Sequence, residues 1–295
     1  MTRVAAVDLG TNSTRLLVAD VEDGNLDEVV RRSVVTRLGE GVDARRRLLP
    51  VPVARVRTVL ADYRREAEQL DAERTLAVAT SAVRDAENGE AFLGEVEWSY
   101  GFATRLLSGD QEAELTRRGV GALAPRTVVL DVGGGSTELI AGDLRTSLDV
   151  GSVRLTERHL RSDPPTTSEL GAAAAEVVEL LPELDVDDAV GVAGTVAQLA
   201  ALAETAELTR PRVEHLLDEL AALPVAERRL VPRLDPARAP VIVAGALIVR
   251  TVLRRYGLER IRYSVRDLLD GAALEAAALP APVEGDAPPG AYTCC

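Results

Sequence analysis

The sequence lacks lysine, and it is poor in cysteine, aromatic residues and long apolar runs. Its formal charge is −13, from 34 basic and 47 acidic side chains, which argues against a protein that binds duplex nucleic acid through a basic face. Every fixed side-chain cation is an arginine, so a phosphate site would use planar guanidinium groups and backbone amides. No apolar run approaches the about 20 residues that cross a bilayer, and we expect a cytoplasmic protein without a membrane partner.

The two cysteines, Cys294 and Cys295, are adjacent at the end of the chain, so no disulfide or thiolate metal framework spans the fold. The segment 279–295 is rich in Pro, Gly and Ala, and we predict a flexible tail there. His159 and His215 are too isolated in sequence to predict a metal pair.

An internal repeat is the strongest organisational signal. Residues 5–20 and 128–143 align at an offset of 123 with six identities, where average residue frequencies give about one. The identical pairs are Asp8/Asp131, Gly10/Gly133, Ser13/Ser136, Thr14/Thr137, Leu16/Leu139 and Asp20/Asp143. Each copy predicts strand, tight polar turn, strand, and α/β elements follow each copy. We therefore predict two α/β domains, 1–123 and 124–278, with both turns facing a central cleft.

The two turns contain residues suited to an anion. Glycine allows a sharp turn and close backbone approach, and hydroxyl and amide groups lie beside exposed N–H groups, as in a phosphate-binding nest. A single turn of this kind is more often only a hairpin, but the duplication favours function. The predicted phosphate-binding residues are Gly10, Thr11, Asn12 and Ser13 in the first turn and Gly133, Gly134, Gly135, Ser136 and Thr137 in the second.

The second copy differs from the first at one useful position, because Glu138 stands where the first copy has Arg15. We therefore predict that the carboxylates of Asp131 and Glu138 lie together near the second turn. Mg²⁺ favours a few oxygen ligands together with substrate phosphate and water, which this arrangement allows. The alternative is a solvated glutamate beside an aspartate that stabilises the turn.

At this point the sequence resembles the exopolyphosphatase/guanosine pentaphosphate phosphatase (Ppx/GppA) family. The matching segments are VDLGTNSTRLLVAD, VATSAVRDA (78–86), LSGDQEAEL (107–115), LDVGGGSTELI (130–140) and VAGTVAQLAAL (192–202). The resemblance covers about residues 3–275, in order. It implies the actin, Hsp70 and sugar-kinase superfamily, with two ribonuclease-H-like domains around a phosphate-binding cleft. It allows a homodimer.

The resemblance places the family's general base on Glu112 and its arginine on Arg84. Ser108 is a plausible N-cap with Gln111 three residues later, so Glu112 lies at a helix start, where backbone N–H groups favour its ionised form. Arg84 would hold a terminal phosphoryl group near a cap at Ser81. The alternatives are a surface glutamate, and an ion pair of Arg84 with Asp85 or Glu87.

Two further regions are less decisive. Gly194 and Thr195 fit a third loop, between a strand and a helix, that faces the phosphate tail in the superfamily. The run Arg45–Arg47 would hold a distal phosphate or form only a solvated patch. Gln111 stands where the family commonly has a second glutamate, and the region 203–212 is shorter than usual.

The predicted function is Mg²⁺-assisted hydrolysis of a terminal phosphoanhydride, with inorganic polyphosphate as substrate and an exopolyphosphatase as the enzyme. The alternative substrate is pppGpp, which would connect the protein to the stringent response. Two other hypotheses are an ATP-using kinase or ATPase of the same superfamily, and a non-catalytic sensor of polyphosphate or (p)ppGpp.

Overall fold

The computed structural model describes residues 1–280. Both cysteines and all but the first two residues of the predicted tail (279–295) lie outside the described residues. The chain divides into two units. Unit 1 comprises residues 1–120 together with the segment from Asp267 onward, and unit 2 comprises Gly121–Arg266. The first boundary falls close to the predicted one at 123/124. The second differs, because Asp267–Ala278 belongs to unit 1 and not to a C-terminal domain ending at 278.

Unit 1 is an α/β unit in which a meander of three strands precedes alternating helices and strands. Its elements are β1 (Thr2–Leu9), β2 (Ser13–Glu22), β3 (Asn25–Val35), α1 (Val42–Arg45), α2 (Pro50–Gln69), β4 (Arg74–Ala79), α3 (Ser81–Arg84), α4 (Gly89–Tyr100), β5 (Ala103–Leu106) and α5 (Gly109–Val120). The strand order is β3-β2-β1-β4-β5. The meander is antiparallel, whereas β4 and β5 run parallel to β1.

Unit 2 has the same plan with one additional edge strand. Its elements are β6 (Thr127–Val132), β7 (Thr137–Ala141), β8 (Leu144–Leu148), α6 (Ser152–His159), α7 (Thr167–Leu180), β9 (Asp188–Val192), α8 (Ala193–Ala203), β10 (Glu207–Thr209), α9 (Arg210–Ala222), α10 (Val225–Arg228), α11 (Ile242–Arg255) and β11 (Arg260–Tyr263). The strand order β8-β7-β6-β9-β11 repeats that of unit 1, and β10 pairs antiparallel outside β11. The duplication seen in 16 residues of sequence therefore extends to the whole sheet.

The last helix, α12 (Leu268–Ala278), returns to unit 1 and covers one face of its sheet. Strand β1 is buried on both faces, so its residues alternate between two layers. Val4 and Ala6 face an apolar cluster that includes Leu269 and Ala272 of α12. The alternate residues Ala5, Val7 and Leu9 face the layer of α2, α3 and α4.

Unit 2 has a single large apolar core. Apolar residues of α7, α9 and α11 pack against the sheet, and α11 is buried along most of its length. Over residues 1–280, no helix combines the length and hydrophobicity that a membrane span requires.

Candidate active site

The turns that follow β1 and β6 have the same geometry. The N–H of Gly10 donates to the carbonyl of Ser13, and the N–H of Gly133 donates to the carbonyl of Ser136, both at 3.1 Å. A Cβ at either glycine would lie only 2.9 or 3.0 Å from that carbonyl oxygen, so a side chain would press against the turn. The same close approach in both copies explains why the repeat has glycine at both positions.

The turn of unit 1 contains a buried amide without a partner. Thr11 and Asn12 are each 7% exposed. The hydroxyl of Thr11 accepts the N–H of Ala82, but within residues 1–280 neither side-chain atom of Asn12 forms a hydrogen bond. Burying such a group without a partner is costly, and it is rare in folded proteins. The amide of Asn12 therefore has a donor and an acceptor that no described residue satisfies.

The turn of unit 2 directs its carbonyl groups into the protein. The carbonyl of Gly133 accepts the N–H of Ser152 at 2.9 Å, and that of Gly134 accepts the N–H of Val153 at 2.8 Å. A Cβ at Gly151 would lie 2.5 Å from the carbonyl carbon of Gly134, so the start of α6 packs directly on the turn.

In the part of the chain that the structure describes, the N–H groups of Gly134 and Gly135 donate to no other group. Donors left over in a turn of this kind form a concavity suited to phosphate oxygens. The hydroxyl of Thr137, which the sequence also assigns to phosphate, donates instead to the carbonyl of Val150 at 2.6 Å.

Asp8 and Asp131 are the penultimate residues of equivalent strands but face residues of opposite charge. Asp8 lies directly opposite Arg15 in the β1–β2 ladder, and the Nε of Arg15 donates to its Oδ2 at 2.8 Å. Burial raises the pKa of Asp8, and the charge of Arg15 opposes that rise. Arg15 also binds the carboxylate of Asp267, immediately before α12.

Asp131 lies directly opposite Glu138 in the β6–β7 ladder, which puts both carboxylates on one face of the sheet. They are 5% and 1% exposed, and the hydroxyl of Ser147 donates to Glu138 Oε1 at 2.7 Å. Among the described residues, no group of three or more His, Cys, Asp or Glu side chains is placed to hold a metal ion. Two adjacent carboxylates still fit Mg²⁺, which keeps several waters and binds substrate phosphates.

Gly194 and Thr195 lie in the first turn of α8, not in a loop before it as the sequence predicted, because β9 ends at Val192. The hydroxyl of Thr195 donates to the carbonyl of Val132 at 3.0 Å, which fixes this helix start beside the end of β6. A Cβ at Gly194 would lie 2.1 Å from Arg238 Nη1. Sequence reasoning missed Arg238, whose only signal is an arginine in a Pro-rich segment.

The structure brings together the two residues assigned to catalysis. Arg84, the last residue of α3, donates from Nη1 to Glu112 Oε2 at 3.1 Å and to the carbonyl of Leu107 at 2.9 Å. The partner of Arg84 is thus Glu112, and neither Asp85 nor Glu87. Glu112 is 7% exposed, which excludes an ordinary surface glutamate.

The start of α5 has the predicted cap. Gln111 Oε1 accepts the N–H of Ser108 at 2.9 Å, and the N–H of Gln111 donates to the hydroxyl of Ser108 at 3.3 Å. This reciprocal pair fixes the first turn of α5, where Glu112 lies. The cap of α3 lies one residue earlier than predicted, at Thr80.

Comparison with known proteins identifies the family. The sequence model of the Ppx/GppA phosphatase family matches residues 17–278. The chain belongs to the Ppx/GppA phosphatase family. This Ppx/GppA phosphatase is 39% identical over 316 aligned residues to exopolyphosphatase 2 of Mycobacterium tuberculosis, covering 94% of the chain and 99% of that protein.

Solved structures agree with this assignment. A crystal structure described as an exopolyphosphatase-like protein superposes with a TM-score of 0.87 at 31% identity, covering 93% of this chain and 97% of the other. The PPX-GPPA enzyme of Aquifex aeolicus superposes with a TM-score of 0.76 at 30% identity, covering 93% and 99%. The predicted family and the predicted α/β fold class are confirmed, and the chain is a Ppx/GppA-type phosphatase.

Proposed function

We propose that this phosphatase releases orthophosphate from the end of inorganic polyphosphate. The observation that carries the proposal is the contact between Arg84 and Glu112, a carboxylate and a guanidinium held together at a helix start. Hydrolysis of a phosphoanhydride needs a base that orients water and a cation that stabilises charge on the transferred group. The similarity to a mycobacterial protein named exopolyphosphatase 2 supports polyphosphate as the substrate.

Glu112 acts in this proposal as the general base. Its carboxylate accepts a proton from water as the water oxygen bonds to the terminal phosphorus and the bridging P–O bond breaks. The products are orthophosphate and a chain shorter by one phosphate. The guanidinium of Arg84 and the first turn of α5 stabilise negative charge on Glu112 before the reaction.

Arg84 also contacts the transferred group. Its Nη1 is used by Glu112 and Leu107, whereas its Nε and Nη2 make no hydrogen bond within residues 1–280. These remaining donors form one edge of a planar fork, the geometry that binds two phosphate oxygens. Arg84 therefore holds the base with one nitrogen and offsets charge on the phosphoryl oxygens with the others.

Each turn, taken by itself, offers donors suited to phosphate oxygens. The first offers the amide of Asn12, and the second offers the N–H groups of Gly134 and Gly135. Asp131 and Glu138 would hold Mg²⁺, which when bound neutralises phosphate charge and polarises phosphate oxygens. Because the chain itself carries a charge of −13, local arginines and Mg²⁺ are needed to offset its repulsion of a polyanion.

The test measures phosphate release from long polyphosphate, tripolyphosphate, pppGpp and ATP over a Mg²⁺ titration, with wild type and Glu112→Gln. General-base assistance contributes about 10²–10⁴-fold, so Glu112→Gln should lower kcat for polyphosphate by that order with little change in binding. Glu114→Gln removes a neighbouring, more exposed carboxylate of the same helix and serves as the matched control.

The outcomes of this test distinguish the assignment of the base, the identity of the substrate and the alternative of a sensor. Full activity of Glu112→Gln overturns the assignment of the base. Release from pppGpp alone identifies the nucleotide as the substrate, and binding of polyphosphate without release identifies a sensor.

A further inference from the structure

Three consecutive arginines in unit 1 are without a partner in a chain that pairs most of its arginines. Arg45, Arg46 and Arg47 are all exposed. Within residues 1–280, their side chains make no hydrogen bond or ion pair. The chain has 47 acidic residues available for 34 basic ones, so unpaired cations are not explained by a shortage of carboxylates.

The segment that carries these arginines begins at the predicted phosphate-binding turn. The N–H groups of Thr36 and Arg37 both donate to the carbonyl of Asn12, at 3.1 and 2.9 Å, and the N–H of Gly39 donates to the carbonyl of Thr11 at 2.8 Å. A Cβ at Gly39 would lie 2.2 Å from Thr11 Cγ2. The backbone of residues 36–39 therefore lies directly against the first turn.

The other end of the segment is attached just beyond the catalytic arginine. The carbonyl of Arg46 accepts the N–H of Glu87 at 2.8 Å. Asn88 holds the backbone of Leu48, the residue that follows the arginine run: its Oδ1 accepts the N–H of Leu48 at 2.8 Å, and its Nδ2 donates to the carbonyl of Leu48 at 3.1 Å. Glu87 follows Arg84 by three residues, which is at most about 10 Å of extended chain.

The arginine run is consequently held on a fixed backbone. Val42 and Leu48, which flank it, are 3% and 2% exposed and pack in the core of unit 1. Arg46 adopts a left-handed conformation with φ 52° and ends α1. Three adjacent cations thus lie in a segment that touches the phosphate-binding turn at one end and the chain after Arg84 at the other.

We propose that Arg45, Arg46 and Arg47 bind distal phosphates of an inorganic polyphosphate chain whose terminal phosphate is hydrolysed at Arg84 and Glu112. A long polyphosphate presents a charge at every phosphate, so it can contact the terminal-phosphate site and all three arginines at once. Tripolyphosphate has three phosphates, so it cannot give the terminal site and each of the three arginines a phosphate of its own. The inference rests on the proposed function, and it makes the arginine run a determinant of preference for long chains.

The test compares Arg45→Gln/Arg46→Gln/Arg47→Gln with Arg118→Gln/Arg161→Gln/Arg229→Gln. The control removes three exposed arginines that also make no side-chain hydrogen bond or ion pair in the described part of the chain, so both variants change the net charge equally. For the first variant, kcat/KM for a long polyphosphate should fall about tenfold, mainly through a higher KM. This fall corresponds to about 1.4 kcal/mol of lost binding free energy. The value for tripolyphosphate should stay within about twofold, and the control should change neither strongly.

Salt dependence gives a second readout that a structural role would not change. Each cation that contacts a polyanion releases counterions, so the slope of log KM against log salt should become shallower in the first variant and remain unchanged in the control. An equal loss on long and short substrates, or an equal loss in the control, would overturn the inference while leaving the proposed function intact.

Failure of the proposed function would look different. If wild type released no phosphate from any polyphosphate, binding of long polyphosphate would be titrated without turnover, using the same two variants. Unchanged affinity in Arg45→Gln/Arg46→Gln/Arg47→Gln would then overturn the arginine run separately from the reaction.

Discussion

The hairpins of the two units have the same backbone arrangement, but a different residue faces the aspartate near the end of the first strand. In unit 1, Asp8 faces Arg15, and the carboxylate is neutralised inside the protein. In unit 2, Asp131 faces Glu138, and two carboxylates share one face of the sheet. One change of charge at one register position therefore separates a structural ion pair from a candidate cation site. The comparison teaches that duplication supplied the geometry and that divergence of single side chains supplied the chemistry.

Among the changes that test this comparison, the largest effect is expected from removing one carboxylate of unit 2. Glu138→Gln should lower phosphate release by about 10²–10³-fold and increase the Mg²⁺ concentration needed, because a preorganised group that offsets phosphate charge is lost. Phosphate release over a Mg²⁺ titration measures this. Asp143→Asn removes an exposed carboxylate from the turn that follows β7 and should have little effect. If both variants behave alike, the two hairpins do not differ in function.

The next largest effect is expected from breaking the ion pair of unit 1. Arg15→Gln leaves Asp8 and Asp267 buried without their cation, which should lower the free energy of unfolding by about 3 kcal/mol. Trp98, the only tryptophan, lies in unit 1 and reports the urea transition by fluorescence. Arg65→Gln, at an exposed pair, is the control.

The same variant should depend on pH. Because burial raises the pKa of Asp8 in the folded protein above its ordinary value of 3.8, ionisation of Asp8 costs stability as pH rises through that value. Loss of Arg15 enlarges this cost, so the deficit of Arg15→Gln should be larger at pH 7.5 than near pH 4. A deficit that does not change with pH would mean that Asp8 is not the group that Arg15 neutralises.

A smaller effect is expected at Asn12, whose equivalent in unit 2 is Gly135. Asn12→Ala should raise KM for polyphosphate about tenfold, because a hydrogen bond to a charged phosphate is lost. Its thermal stability should not fall, since the amide has no partner in the described residues. Measuring KM and Tm together separates the two roles. A large fall in Tm with unchanged KM would show that Asn12 is structural.

The smallest effect concerns the helix caps of the two units. Glu169 caps α7, and hydrogen bonds from the backbone of Thr166 and Ser162 lower its pKa to about 2. Its stabilisation is present above its ordinary value of 4.5 and is lost as pH falls toward 2. The deficit of Glu169→Gln in urea unfolding should therefore shrink between pH 6 and pH 3. In α5 the equivalent residue is the neutral Gln111, so the deficit of Gln111→Ala should stay constant.

Much of the fold followed from the repeat and the alternation of elements. The two strand–turn–strand units predicted from the repeat are found as β1–β2 and β6–β7, and helices and strands follow each of them. The short strands β8 and β10 were missed, because edge strands of three to five residues bury few side chains and leave little pattern. The return of α12 to unit 1 was also missed, since its apolar residues would suit either core.

The candidate site was predicted less completely. Residue types and turn chemistry pointed to the turns, and the family pointed to Arg84 and Glu112, but no local pattern reveals a contact across 28 residues. Arg238 was missed for the same reason, because its position against Gly194 depends on tertiary packing. The roles of the site residues, the use of Mg²⁺, the homodimer and the cytoplasmic location stay predictions.

The placement of α12 has a consequence for synthesis on the ribosome. Unit 2 is a continuous stretch, Gly121–Arg266, so all of its strands have been made before α12 is translated. Unit 1 needs Leu268–Ala278 to cover the exposed face of its sheet, including Val4 and Ala6. Although its first strand emerges first, unit 1 is completed after unit 2, because Val4 and Ala6 stay uncovered until Leu268–Ala278 has been made. In a nascent chain halted before Leu268, unit 2 should therefore be complete, whereas one face of the sheet of unit 1 should remain uncovered.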